Sequence, residues 1–170
     1  MSDKTFKSAT RFDVLRRRLL VSLAAGSGLA ALGVARTGKA QEGELRFPGD
    51  EPSHKVVYQF NKGDEEYQQH VLFSVGAMLR KYGDDIRIVV TCFGPGIHIL
   101  AGFPKRPVSK ETRQRVASLA QYGVEFHACG NTMQSLGWTE VDLLPFAKVV
   151  EVGAADLMEL QEQGYAYVSW

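Results

Sequence analysis

Cysteine is scarce in this sequence, and Cys92 and Cys129 are the two that occur among its 170 residues. Neither belongs to a C-x-x-C pair, and no two histidines have the H-x-x-x-H spacing, so the ligand patterns of closed zinc sites and dithiol redox motifs are missing. Disulfide-dense scaffolds, which use several cysteine pairs, are excluded as well. We therefore predict no resident metal ion, and each cysteine needs its own explanation.

Motifs that bind nucleotides or activate a serine are also missing. Gly94-Pro95-Gly96 lacks the G-x-G-x-x-G spacing, and the Lys-Ser/Thr pair of a phosphate-binding loop is absent. The G-x-S-x-G turn of serine hydrolases does not occur either. The sequence therefore predicts no nucleotide cofactor, and any chemistry must come from single side chains.

Most of the chain has no surplus of positive charge. The first 40 residues carry eight of the 20 lysines and arginines and two of the 19 acidic residues, which leaves 12 basic and 17 acidic residues and a net charge of −5 for the rest. A mildly acidic body without a basic stripe argues against nucleic-acid binding. The hydrophobic content of 45% is ordinary for a globular protein, and the length predicts one compact domain.

The sequence has no run that is both long and apolar enough for a typical membrane-spanning helix. The uncharged stretch from Leu19 to Ala35 is rich in glycine, alanine and serine, and it is shorter than the about 20 residues that a span needs. Arg16 and Arg17 precede this stretch and resemble the arginine pair of twin-arginine export signals. An uncleaved anchor and an amphipathic helix of the folded domain are the alternatives for this segment.

We therefore predict three segments. Residues 1–40 form a twin-arginine-like export signal that is cleaved after Ala40, residues 41–53 form a linker, and residues 54–170 form the folded domain. This organisation predicts a periplasmic protein that keeps no stable membrane anchor after processing.

The folded domain alternates apolar runs with amphipathic segments. Predicted strands cover residues 54–60, 86–94, 124–129, 147–153 and 165–170, and predicted helices cover residues 65–82, 110–122, a short stretch from about 131, and 154–163. Near-continuous apolar strands that alternate with helices predict a mainly parallel sheet of about five strands in a three-layer α/β sandwich. Ligands of such sheets bind at the carboxyl ends of the strands, where both cysteines fall.

The two cysteines have different neighbours. Cys92 follows Ile-Val-Val-Thr in a strand that reads as interior, so packing explains it well. Cys129 is followed by Gly130, Asn131 and Thr132, and these small polar residues predict an accessible thiol. A helix that begins there would present unpaired amide groups that favour the thiolate, which is the reactive form. We therefore predict Cys129 as the reactive residue and Asn131 and Thr132 as assisting residues.

Several other interpretations involve Cys92 and His127. A Cys92–Cys129 disulfide is compatible with export, and Cys92 is a candidate to resolve an intermediate on Cys129. His127 and Cys129 occupy positions i and i+2 of one strand, so they face the same side and are candidates to share a metal or to favour the thiolate together. A hydrogen-bonded structural histidine is the simpler interpretation of His127. The Gly94-Pro95-Gly96 connection is predicted to form one wall of the pocket over Cys129.

The strand "GVEFHA" that ends in Cys129, and the glycine eight positions later at Gly137, resemble the DsrE/DsrF-like family of sulfur-relay proteins. The later segment "DLLPFAKVVEVGAADLMELQEQGYAYV" strengthens the resemblance, which extends from Val56 to Tyr167. The resemblance implies a flavodoxin-like sandwich and homo-oligomers of three or more subunits. It also implies that the cysteine at the matching position, Cys129, accepts sulfane sulfur as a persulfide and passes it to a partner.

We therefore expect an exported sulfur carrier that takes sulfur from a donor protein or molecule and delivers it to an acceptor thiol. A non-catalytic binding or assembly subunit that uses the same fold as an oligomeric scaffold is the alternative. Thiol-disulfide exchange and metal binding complete the set of hypotheses.

Overall fold

The computed structural model describes residues 50–170, so the predicted export signal, its cleavage site and most of the linker lie outside the described residues. Five strands form one sheet: β1 (His54–Phe60), β2 (Ile86–Cys92), β3 (Glu125–Cys129), β4 (Ala147–Val150) and β5 (Ala166–Val168). Four α-helices connect them: α1 (Glu65–Tyr82), α2 (Lys110–Gln121), α3 (Gly130–Leu136) and α4 (Gly153–Glu162). Short 3₁₀ helices span Gly83–Asp85, Gly94–Leu100 and Glu140–Asp142.

The sheet has the order β4-β3-β2-β1-β5, and every neighbouring pair of strands is parallel. The chain steps in one direction from β1 to β4, and α4 then carries it back to the opposite edge, where β5 pairs with β1. The predicted α/β fold with a parallel sheet of five strands is confirmed.

Helix ends follow from capping residues that the sequence carries. The Asp64 side chain accepts a hydrogen bond from the Tyr67 N–H at 2.9 Å, and Ser109 caps α2 in the same way through Thr112. Gly83 follows α1 with a φ of 57°, a conformation that glycine adopts without strain. Asp64 and the acidic residues Glu65 and Glu66 of the first turn therefore stabilise the start of α1.

The sheet is covered on both faces by different helices. The larger core contains alternate residues of β1, β2 and β3 packed with α1 and α2, including Tyr58, Ile88 and Phe126. The smaller core lies on the opposite face, where Val57 and Val89 pack against α4. Burying each large apolar side chain contributes about 1.5–3 kcal/mol to stability. Because both faces of the sheet are buried, successive residues of the inner strands are apolar, which explains their near-continuous apolar sequences.

The carboxyl ends of β3 and β4 lead to opposite faces of the sheet. After β3 the chain enters α3, whose Met133 belongs to the larger core, whereas after β4 it enters α4, whose Leu157 and Leu160 belong to the smaller core. Ligands of open α/β sheets bind beside such a reversal, at the carboxyl ends of the two strands. Cys129 ends β3 and therefore lies beside this reversal.

The connection after β2 begins with a 3₁₀ helix of seven residues, Gly94–Leu100. A Cβ atom on Gly96 would lie 2.3 Å from the Phe60 carbonyl oxygen, so this segment packs directly on the end of β1.

Within residues 50–170, no helix has the length and apolarity required to cross a membrane.

Candidate functional site

Cys129 is both the last residue of β3 and the N-cap residue of α3. The prediction of an accessible thiol is wrong, because Cys129 is only 5% exposed. Gly153, the first residue of α4, lies against it, and a Cβ atom placed on Gly153 would be 3.1 Å from the Cys129 Cβ. The small polar residues that follow Cys129 do not make it accessible, because the start of α4 covers it from another part of the chain.

The Cys129 sulfur accepts a hydrogen bond from the Gly153 backbone N–H at 3.2 Å. Burial raises the pKa of Cys129, but hydrogen bonds from the Thr132 hydroxyl and from backbone N–H groups, including that of Gly153, outweigh it. The pKa of this thiol therefore lies below that of an ordinary cysteine. The geometry can hold a thiolate in a nearly dry environment.

Thr132 links Cys129 to the connection after β2. Its Oγ1 accepts a hydrogen bond from the Gly94 N–H at 3.1 Å, so the start of this connection lies beside α3. Asn131 is exposed, and its backbone N–H donates to the Glu151 carbonyl at 3.2 Å. Of the two predicted assisting residues, Thr132 lowers the pKa of the thiol through a side-chain hydrogen bond, whereas Asn131 acts through its backbone.

Cys92 lies on the other face of the sheet. In the β2–β3 register Cys92 is opposite Ala128, so Cys92 and Cys129 differ by one position and their side chains point to opposite faces. Cys92 is 0% exposed in the larger core, and burial raises its pKa well above the ordinary value. Both cysteines are free thiols. The structure therefore does not bring Cys92 together with Cys129.

His127 faces the same side as Cys129 but is held by another residue. Its Nδ1 lies 2.8 Å and 2.9 Å from the two carboxylate oxygens of Asp156 in α4. Its Nε2 is buried and has no hydrogen-bond partner within residues 50–170, and the nearest carboxylate oxygen, that of Glu125, is 3.9 Å away. The simpler prediction, a hydrogen-bonded structural histidine, matches this arrangement.

Asp156 completes this polar cluster and was missed from the sequence. The Thr91 hydroxyl donates to its Oδ2 at 2.6 Å, in addition to the contact with His127. Burial raises the pKa of Asp156, but these hydrogen bonds outweigh it, so the pKa lies below the usual aspartate value. An aspartate among the apolar residues of a predicted helix was the signal that the sequence offered.

Metal binding has little support in this cluster. Across the described part of the chain, no group of three or more histidine, cysteine, aspartate or glutamate side chains is arranged to hold a metal ion. His127 and Cys129 therefore lack the further ligands that a zinc site requires.

The model of the DsrE/DsrF-like family matches residues 54–170, and the chain belongs to this family. Among solved structures, the protein of unknown function MTH1491 from Methanobacterium thermoautotrophicum is 26% identical with a TM-score of 0.62, and the alignment covers 69% of this chain and 99% of that one. The ychN protein from E. coli is 12% identical with a TM-score of 0.59 over 69% and 99% of the two chains, which supports the fold alone. A comparison with curated proteins gives no match.

The predicted family is thus confirmed, and it connects the chain with sulfur relay at the level of the family.

Proposed function

We propose that this protein is an exported sulfur carrier that holds sulfane sulfur as a persulfide on Cys129. The observation that carries the proposal is the hydrogen bond of 3.2 Å from the Gly153 N–H to the Cys129 sulfur. It stabilises a thiolate at the strand ends where this type of sheet binds ligands, and thiolates are the nucleophiles of sulfur exchange. The family relationship supports the same chemistry.

The transfer needs one thiolate and no oxidant. The Cys129 thiolate attacks the outer sulfur of a donor persulfide, R–S–SH, so that a new S–S bond to Cys129 forms and the donor leaves as the thiolate R–S⁻. An acceptor thiolate then attacks the outer sulfur of Cys129–S–SH, and the Cys129 thiolate is released again. Proton transfer between groups of the enzyme is not required, which agrees with a site built from one thiol and hydrogen-bond donors.

The burial of Cys129 restricts what can deliver sulfur. Because the residue is 5% exposed, a donor must present its sulfur on a slender end. Inorganic polysulfide and thiosulfate-like sulfane donors meet this requirement, as does a persulfide at the tip of an extended loop of a partner protein.

The proposal also includes the location and the assembly. The arginine pair Arg16-Arg17 and the small residues at Gly38 and Ala40, where we predict cleavage, support export to the periplasm, and the family resemblance supports a homo-oligomer of three or more subunits. The mass of the protein recovered from periplasm and light scattering of that protein test the two points separately. A chain that still carries residues 1–40, or a monomer, would contradict them.

Mass spectrometry of the intact protein tests the carrier function. The mature protein is incubated with polysulfide or a thiosulfate-derived donor, and the expected result is an adduct of about 32 Da, one sulfur atom, that dithiothreitol removes. Cys129→Ser should form no adduct, whereas Cys92→Ala is the matched control and should form it normally. Absence of an adduct on the wild-type protein with every donor would end the proposal.

A non-catalytic binding subunit is the second candidate, and one surface feature favours it. An apolar groove of about 820 Å³ lies between α1 and α2, and it is lined by residues that include Phe73 and Tyr122, which are 63% and 75% exposed. Large exposed aromatic side chains around a groove are typical of contact surfaces. A protein that forms oligomers through this groove but accepts no sulfur would support this second function.

A further inference from the structure

A buried polar network joins the sheet to the first turn of α4. Asp156, the fourth residue of α4, accepts hydrogen bonds from Thr91 on β2 and from His127 on β3. These three side chains are 8%, 0% and 3% exposed, respectively. Because a buried carboxylate is unfavourable unless its oxygens are hydrogen-bonded, the network holds Asp156 at one place on the sheet.

The network compensates for a weak start of α4. The N-cap residue is Val152, and valine has no polar atom with which to cap the free N–H groups of a helix. The Asp156 N–H donates to the Val152 carbonyl at 3.0 Å, and this hydrogen bond forms the first turn of α4 with Asp156 at its end. Gly153 lies in the same turn, and its N–H is the donor to the Cys129 sulfur.

We propose that Asp156 is a positioning residue that, through His127 and Thr91, holds the Gly153 N–H against the Cys129 sulfur. Cys129 and His127 are two positions apart on β3, so both ends of the α4 turn are attached to one stretch of strand. The inference rests on the proposed function for the use of the thiolate, but the contact itself is independent of any sulfur donor.

The arrangement assigns His127 a role that differs from that of a base. Its Nδ1 is directed to Asp156, and its Nε2 is buried without a hydrogen-bond partner in the described residues. An unpaired buried nitrogen is unfavourable, so packing alone would be served better by an apolar side chain. The contact with Asp156 explains why a histidine is present. The Nδ1 of His127 forms a buried hydrogen bond with the Asp156 carboxylate and so attaches α4 to the sheet.

Electrostatics and positioning predict opposite effects, which makes the inference testable. Asp156 carries a negative charge on the face of the sheet that holds Cys129, and Lys148 and Glu125 are the other charged groups that act on the Asp156–His127 pair. If Asp156 acted on the thiol through its charge, its removal would lower the Cys129 pKa or leave it unchanged. If it positions Gly153, its removal should raise the pKa.

The experiment measures the pH dependence of Cys129 alkylation by iodoacetamide in a Cys92→Ala background. Asp156→Ala should raise the midpoint by about 0.5 to 1 pH unit, because the N–H of Gly153 is no longer held at the sulfur. Asp156→Asn is the conservative variant, and it should keep a midpoint close to that of the parent because an amide can still bond His127 and Thr91. A lower or unchanged midpoint in folded Asp156→Ala would overturn the inference.

Two further variants keep the test decisive if Asp156→Ala does not fold. Thr91→Val has the same shape and keeps the charge of Asp156, and His127→Ala removes the other donor. Each should raise the midpoint by a smaller amount, and unchanged midpoints in both folded variants would refute positioning. Failure of the carrier proposal is recognised separately. If the wild-type protein formed no persulfide adduct, the Asp156 variants could still show the shift in alkylation midpoint relative to the parent.

Discussion

Replacing Gly153 by alanine is the smallest change that should disturb the site. A Cβ atom there would be 3.1 Å from the Cys129 Cβ and 3.2 Å from Cδ1 of Phe93, both closer than ordinary van der Waals contact. The start of α4 must therefore shift by a few tenths of an ångström, which lengthens the 3.2 Å contact between the Gly153 N–H and the sulfur.

The size of the effect follows from this one hydrogen bond. Hydrogen bonds to charged groups contribute about 1.5–3 kcal/mol, and about 1.4 kcal/mol corresponds to one pKa unit. Because the bond is stretched and not removed, we expect Gly153→Ala to raise the Cys129 pKa by about 0.5 to 1 unit. Overpacking costs about 1–3 kcal/mol, and the better helix propensity of alanine offsets up to about 1 kcal/mol, so a net loss of stability is expected.

Alkylation of Cys129 as a function of pH, together with urea unfolding, measures both quantities. At a pH below the midpoint, Gly153→Ala should react about three to ten times more slowly than the parent protein. Gly76→Ala is the matched control, since a Cβ atom at that position of α1 would meet only the flexible end of Arg80, at 3.4 Å. A folded Gly153→Ala protein with the parental midpoint would show that the Gly153 N–H does not stabilise the thiolate.

Three other predictions follow from single contacts. Thr132→Val should raise the alkylation midpoint and leave the Gly94 N–H without its acceptor, which hydrogen exchange at that amide would detect as lost protection. The pKa of Asp156 in the folded protein lies below its ordinary value of 3.8. The stability that the ionised carboxylate contributes is therefore present above about pH 4 and is lost as the pH falls through the folded-state pKa. Asp156→Asn has no carboxylate to protonate, so it should lose less stability than the wild type in acid. Gly96→Ala should destabilise the domain by at least about 3 kcal/mol in urea unfolding, because its Cβ atom would lie 2.3 Å from the Phe60 carbonyl oxygen, whereas a loss below about 1 kcal/mol would contradict this packing.

Local patterns were sufficient to predict the sheet and the position of Cys129. The strand that ends at Cys129 and the helix that follows it are both readable from a few adjacent residues, as is the N-cap at Ser109. The length of the 3₁₀ helix at Gly94–Leu100 was not predicted, since it depends on close packing against Phe60 and not on a periodic pattern.

Thr91 on β2 was missed from the sequence, and the other missed features of the site come from the start of α4. Gly153 and Asp156 are far from Cys129 in the sequence, and the pairing of β4 with β3 and the crossover of α4 over the sheet bring Gly153 to the thiol and Asp156 to His127. Their roles depend on that crossover, because a glycine before a helix and an aspartate within it are ordinary in any sequence. The expectation of an accessible thiol failed for the same reason, since Gly153 covers Cys129.

The two cysteines show how one position in a strand decides the surroundings and the pKa of a thiol. Both end a buried parallel strand at the same edge of the sheet, and Cys92 is paired with Ala128, one residue before Cys129. Alternation therefore directs Cys92 into the larger core, where burial alone acts and raises its pKa, and directs Cys129 toward the helix start that supplies an N–H donor. The thiol of Cys129 has a lowered pKa because of the face that it occupies, and the sequence pattern reveals that face only once the strand register is known.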